Sequence, residues 1–356
     1  MRVAFVTVGE TGRKTGGYLY NARLLAGLEE SGVEVAQLVA GGADPEEQTS
    51  SVPRVGAMLD PLSFDVIVVD ALARIAVAPH LDGWRASRPV VALVHELPSV
   101  AGGQAEKPSG QLAYEEPLLR ADRLVAVSEH GRSLLEARGV PPGRISVVPP
   151  GFDRLKPPEG PPGRRAGPVR ALCVAQWIPR KGISTLVEAW VRRPRPGAVL
   201  ELVGEADADP YHAASVREAI AAAPDASILV RGPVDDAALA AAYAMADLFV
   251  LPSRYEGYGM VFAEALSFGL PIVACRVGPL PDLVGSEAAL LVPPDDADAL
   301  AEALDLLLAD PVLRGRMSAA ARRRAARLPR WKETVAGFAA VLQSVVAGGV
   351  KPAGGR

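Results

Sequence analysis

Three observations predict an α/β chain of two doubly wound domains in tandem. The sequence opens as strand, loop, helix, strand. The same alternation restarts beyond the Pro- and Gly-rich run KPPEGPPGRRAGP at 156–168. Within that second half, a short apolar strand passes through a glycine turn straight into a helix at 247–268. A chain of 356 residues is long enough for two domains of ordinary size, and 49 % hydrophobic residues can fill both cores.

Residues 2–8 are apolar nearly throughout, the pattern of a buried parallel strand. They feed a loop at 9–17 ending Thr15-Gly16-Gly17, then a helix at 18–31 with Leu24, Leu25 and Leu28 on one side. Gly32 ends the helix, and 33–39 is the next strand. Ligands of such folds sit beyond the carboxyl ends of the strands. Gly16-Gly17 there is either a plain turn or a place where a ligand approaches the backbone. Further strands are expected at 66–70, 89–95 and 124–128, and 97–111 is expected to be a mobile loop rich in Gly, Pro and polar residues. His95-Glu96 closes its strand at the ligand edge. A histidine there orients a ligand, moves a proton, or simply bonds to backbone. Ser128 is placed to cap the following helix. The strand 145–148 runs into Pro149-Pro150-Gly151-Phe152-Asp153, so the first domain is expected over 1–155 and the second over 166–330.

The second domain opens with the strand 169–175, the loop Gln176-Trp177-Ile178-Pro179-Arg180-Lys181-Gly182 and the helix 183–191. Arg180 and Lys181 suit a diphosphate, Arg as a fork and Lys as a point charge, although a solvated basic turn has the same sequence. The strand 198–203 precedes Asp207-Ala208-Asp209, formally a metal-binding spacing but set in a loop before the helix 211–222; no metal is expected. The strand 228–230 exits through Arg231-Gly232-Pro233, and Asp235-Asp236 starts the helix 237–246. Then comes the central stretch. The strand 247–251 leads to Glu256 and the turn Gly257-Tyr258-Gly259. The helix 260–268 starts at Met260, carries Glu264 and is closed by Gly269 and Pro271. The first turn of that helix offers free N–H groups to an anion, with a carboxylate on either side. By spacing alone, two solvated glutamates on an ordinary strand–loop–helix fit equally well. Strands at 272–274 and 289–292 and a helix at 297–308 complete the sheet. The basic helix 317–327, with Arg322, Arg323, Arg324 and Arg327, reads as a solvated face; contact with an acidic membrane surface is its alternative. The last helix covers 334–346, and the tail 348–356 is expected to be disordered.

Composition narrows the function classes. Lys plus Arg is 38 against 41 Asp plus Glu, a net charge of −3 that argues against bulk nucleic-acid binding. The two cysteines, Cys173 and Cys275, lie in apolar runs and read as buried hydrophobes, which fits a reducing cytoplasm. The first residues form a strand, not a signal core, and no apolar run approaches the roughly 20 residues that span a bilayer. Heavy use of Ala, Arg and Pro suggests a bacterial genome.

The pattern E-G-x-G-x-x-x-x-E-A-x-x-x-G-x-P, carried by Glu256, Gly257, Gly259, Glu264, Ala265, Gly269 and Pro271, resembles the E-x7-E signature of retaining glycosyltransferases of family 4. Gly16-Gly17, His95 with its acidic neighbour, the Pro-x-Gly-x-Asp at 149–153 and Lys181-Gly182 extend the resemblance over nearly the whole chain. It implies the GT-B fold: two Rossmann-like domains facing across a cleft, the first binding an acceptor and the second a nucleoside diphosphate sugar. A terminal helix at about 331–347, begun by Trp331, would return to the first domain. It further implies sugar transfer to an acceptor hydroxyl with retention and without cofactor or metal. Glu256 would bind the sugar, Glu264 the ribose, and Arg180 and Lys181 the phosphates. Gly257, Tyr258, Gly259 and Met260 would line the phosphate turn. His95 would hold the sugar, and Gly16 and Gly17, with Arg13 and Lys14 nearby, would lie against the diphosphate. Arg231 would contact base or phosphate. One departure stands out: Ala175-Gln176 replaces the family's Gly-Arg, and a neutral amide cannot supply a guanidinium's charge. The rivals are a non-catalytic sugar-nucleotide-binding protein on this fold, or a sugar-nucleotide epimerase or phosphorylase. Glycan, lipid and small metabolite all stay open as acceptors.

Overall fold

The computed structural model describes residues 1–9, 15–42, 44–101, 108–157 and 167–348, with the side chains of 101 and 108–111 left aside. Arg13, Lys14 and all of the tail but its first residue lie outside the described residues. The chain divides into two units, Met1–Gly151 with Pro329–Arg356, and Phe152–Leu328.

The first unit holds six strands: β1 (Arg2–Thr7), β2 (Glu34–Val39), β3 (Val66–Asp70), β4 (Val90–Val94), β5 (Arg123–Ala126) and β6 (Ile145–Val147). They form one parallel sheet in the order β2-β1-β3-β4-β5-β6. β3 and β4 are buried throughout, which explains their unbroken apolar sequence: helices cover both faces. The order reverses between β1 and β3, so the ends of those strands flank the crevice where such sheets take ligands. The helix Gly16–Glu30 packs on the terminal helix Trp331–Gly348. At their contact Gly27 has no side chain because Val335 occupies the space; a Cβ there would lie 2.4 Å from a Val335 methyl.

Two segments differ from expectation. The stretch 97–111 is not a continuous loop: Pro98–Ala101 and Pro108–Leu119 are helices, each begun by a proline, which costs nothing at a first helical position. The buried Glu115 anchors the first of these, accepting from the Ser99 N–H at 2.8 Å and its hydroxyl at 2.7 Å and pairing with Arg138 at 2.5 Å. The helix Pro45–Met58, absent from the sequence expectations, is set by its start. The Asp44 carboxylate accepts from the Glu46 N–H at 2.8 Å, Pro45 follows it, and two acids occupy the first turn.

The second unit carries β7 (Val169–Val174), β8 (Ala198–Val203), β9 (Ile228–Val230), β10 (Leu248–Leu251), β11 (Ile272–Cys275) and β12 (Ala289–Val292), parallel in the order β12-β11-β10-β7-β8-β9. Here the reversal falls between β7 and β10. Cys173 and Cys275 are free and buried in this core, and burial pushes both thiols up to about 12. Asp209 of the formal metal spacing is a helix cap, accepting from the His212 N–H at 2.9 Å ahead of Pro210–Ala221. The basic helix is longer than expected, Pro311–Ala325, because Asp310 caps it. It is also not simply a solvated face. Arg324 turns inward to the carbonyls of Leu283, at 2.6 Å, and Asp282, while Arg322 lies 3.4 Å from that of Phe268. Both therefore supply positive charge at the carboxyl ends of neighbouring helices. Among the described residues no helix is long and apolar enough to cross a membrane.

Candidate active site

In the second unit, the two strands at the reversal carry the candidate residues. After β7 the turn Pro179–Lys181 ends at Gly182, which adopts φ 67° and caps the helix Ile183–Val191. Only glycine fits: a Cβ would stand 2.2 Å from the Pro252 carbonyl oxygen, on the loop after β10. This close approach sets Lys181 beside Glu256. The Lys181 ammonium donates to Glu256 Oε1 at 2.7 Å, and the Ser253 hydroxyl donates to the same oxygen at 2.7 Å. Arg180 donates to the Tyr255 carbonyl at 3.1 Å. Glu256 is 5 % exposed. Burial alone would raise its carboxyl, but Lys181 and Arg180, with the bonds from Lys181 and Ser253, outweigh it and hold the group below the usual carboxylate range. Gly259, at φ 95°, caps the helix Met260–Ser267 with no side-chain acceptor, three residues after Glu256 in the chain. The helix ends as expected at Gly269, φ 72°, where the Gly269 and Leu270 N–H groups bond back to Leu266 and Ala265.

Glu264, 4 % exposed, is not solvated either. Its Oε1 accepts from Arg154 Nη2 at 2.6 Å and Nε at 3.1 Å, and its Oε2 accepts from the Tyr243 hydroxyl at 3.1 Å. Arg154 also donates to Asp236 at 2.6 Å. Burial raises the Glu264 carboxyl, with Arg154 and Tyr243 opposing. Sequence reasoning missed Arg154, Tyr243 and Ser253. Arg154 stands at the expected end of the first domain, next to the Pro- and Gly-rich boundary, and its partner is 110 residues away.

The remaining sequence candidates fall out as follows. Gln176 donates to Glu205 at 2.7 Å. Arg231 pairs with Glu201 on β8 at 2.8 Å and is half exposed, away from both glutamates' contacts. Tyr258 is half-buried, and burial raises its hydroxyl to about 12. In the first unit, Gly16 and Gly17 open the helix Gly16–Glu30, and a Cβ on Gly17 would meet the His95 ring at 3.5 Å. His95 stacks edge-on against Tyr20, whose hydroxyl donates to Val148 at 3.0 Å. His95 Nε2 lies 3.0 Å from Asn21 Oδ1 and 3.7 Å from the buried Asp70. Burial lowers the imidazole's pKa against the pull of Asp70 and Glu96. No cluster of three or more potential metal-binding side chains occurs among the described residues.

Known proteins agree with this architecture. Residues 2–151 match the glycosyl transferase 4-like domain, and residues 160–324 match glycosyl transferases group 1. A D-inositol 3-phosphate glycosyltransferase of Kineococcus radiotolerans is 34 % identical over 283 residues, covering 68 % of this chain and 64 % of that protein. The protein of the same name from Geodermatophilus obscurus is 33 % identical over 319 residues, 81 % of this chain and 68 % of its own. Sucrose-phosphate synthase from Thermosynechococcus elongatus superposes with a TM-score of 0.82 at 23 % identity, covering 98 % of this chain and 99 % of that one. With paired six-stranded parallel sheets, two buried glutamates around a glycine-capped helix and these matches across both units, the chain belongs to the group 1, family 4 retaining glycosyltransferases of the GT-B fold.

Proposed function

We propose that the protein transfers a sugar from a nucleoside diphosphate sugar to an acceptor hydroxyl with retention of configuration. The observation that carries this reading is the Lys181–Glu256 pair, whose glutamate in the chain shortly precedes a helix, Met260–Ser267, whose start has no side-chain cap. Backbone N–H groups, Lys181 and Arg180 supply positive potential where a departing diphosphate gathers charge. Glu256, kept ionised, accepts sugar hydroxyls and faces the electron-poor ring. Glu264 accepts from the ribose, and Gly257, Tyr258, Gly259 and Met260 line the turn around the phosphates. In the first unit Gly16 and Gly17 leave backbone room for a ligand, and His95 contributes a hydrogen bond to a sugar hydroxyl. Arg231 is a base contact only if it leaves Glu201.

A thermal-shift series with UDP, GDP, ADP and their sugar conjugates tests the donor site, with Glu264→Ala alongside. A ligand at about 100 times its Kd stabilises the fold by about 2.7 kcal/mol, and the variant should lose that shift. Release of nucleoside diphosphate only when an acceptor is present then identifies a transferase. D-inositol 3-phosphate is the first acceptor to try, given the names of the relatives. Tight binding with no release under any acceptor would instead favour a binding protein, and epimerised donor an isomerase.

A further inference from the structure

Asp70 is fully buried at the end of β3, yet no Lys or Arg pairs with it among the described residues. Its carboxylate is satisfied by neutral donors. Oδ2 accepts from the Thr7 hydroxyl at 2.7 Å and from Asn21 Nδ2 at 2.6 Å, and Oδ1 accepts from the Leu72 N–H at 2.9 Å. Thr7 and Asn21 are themselves 0 % and 3 % exposed. This arrangement fixes proton positions in sequence. An ionised carboxylate only accepts, so the Asn21 amide must turn its NH2 toward Asp70. Its carbonyl oxygen then faces His95 Nε2 at 3.0 Å, and a carbonyl oxygen only accepts. Nε2 must therefore carry a proton. In the neutral imidazole the lone pair is then on Nδ1.

We infer that Asp70 and Asn21 are positioning residues that lock His95 in the Nε2–H tautomer, so that Nδ1 accepts a hydrogen bond from a hydroxyl of the bound sugar. This deepens the proposed function and its second half rests on it. His95 is accordingly neither a proton donor nor an acid in the reaction. The ring is held by its neighbours. Tyr20 packs edge-on against it, and a Cβ on Gly17 would lie 3.5 Å from it. Asp70 needs its charge for this task. An amide in its place can present NH2 to Asn21, which then reverses, offers its own NH2 to His95, and shifts the imidazole proton to Nδ1.

The test uses the full-length chain with 15N-labelled histidine, where long-range 1H–15N spectra report which ring nitrogen is protonated. The chain has 4 histidines, so His95→Gln assigns the signal. The wild type should show Nε2–H at pH 7.5, and Asp70→Asn should move His95 toward Nδ1–H. Asn21→Leu, which removes the relay but keeps the volume, should leave a mixture. A wild-type Nδ1–H or doubly protonated ring would overturn the proposal, as would an Asp70→Asn spectrum identical to wild type in a protein with native circular dichroism. UDP-glucose, GDP-mannose and ADP-glucose are then compared with the matching diphosphates. The Nδ1 resonance should move with the sugar conjugate and not with the diphosphate alone, and transfer by Asn21→Leu should fall by about tenfold or more with diphosphate affinity unchanged. A locked tautomer with no response to any nucleotide sugar would uphold the positioning and refute the donor reading; binding of the conjugates without movement of Nδ1 would refute the hydroxyl contact alone.

Discussion

Each unit buries carboxylates at the point where its strand order reverses, but they are satisfied in opposite ways. Asp70 in the first unit is enclosed by a hydroxyl, an amide and a backbone N–H, with His95 as its nearest titratable neighbour. Glu256 and Glu264 in the second unit each hold a full cation, Lys181 and Arg154. A carboxylate saturated by neutral donors acts through the group it orients. One paired with a cation brings positive charge with it, which a diphosphate-bearing ligand requires. On the proposed function, the first unit's carboxylate organises and the second unit's carboxylates bind.

The sharpest test of that contrast is Glu256→Gln. It preserves shape and removes charge, and transfer should fall by about 10²–10³-fold in a steady-state assay. An activity within a factor of about three would mean that Glu256 only pins Lys181. Next is Arg154→Met, which leaves Glu264 buried without its cation and should cost about 3 kcal/mol in urea unfolding. Burial already raises the Glu264 carboxyl, so the folded state holds its proton to higher pH than the unfolded state. Stability of this variant should therefore be greater on the acid side and decline as pH rises through the folded value; a loss independent of pH would contradict the assignment. Asp70→Ala, measured the same way, leaves three donors without an acceptor and should cost about 2–3 kcal/mol. Gly27→Ala touches neither carboxylate and should cost about 1–2 kcal/mol by displacing Val335, read as a lower Tm with transfer per folded molecule unchanged. The smallest effect concerns His95. Its pKa is depressed, so acidification below the ordinary value of 6.5 should erode stability, and His95→Gln should flatten that slope.

Which of these residues could be read from the sequence follows from the range of the interactions. Glu256, Glu264, Gly259 and Gly269 lie in one contiguous strand–turn–helix, so local rules place the elements and the positive-φ glycines, while the glutamates stand out from solvated ones only through the family resemblance. Lys181 stands with Arg180 in a strand-to-helix loop, and His95 where an apolar strand ends. Asp70 has the same signature, a lone charge closing VIVVD, but without knowledge of its neighbours it is only a strand end. Asn21 and Arg154 gave no such sign. Asn21 lies on a helix face indistinguishable from core by period, and Arg154 reaches Glu264 only once the second sheet is complete. The stretch 97–111 reads as a loop from its Gly and Pro content, and nothing local to it reveals the Glu115 bonds to Ser99.

Gly151 sits against Trp331, where an added Cβ would come within 2.2 Å of the Trp331 backbone nitrogen. The chain thus leaves the first unit and re-enters it at touching points, with everything from Phe152 to Leu328 threaded between. On a ribosome, the second unit is fully synthesised before the helix that covers Tyr20 and Gly27 exists. The unit begun first is consequently the one completed last, and a nascent chain stalled before Pro329 would carry a finished second sheet beside a first sheet with its outer helix face still bare.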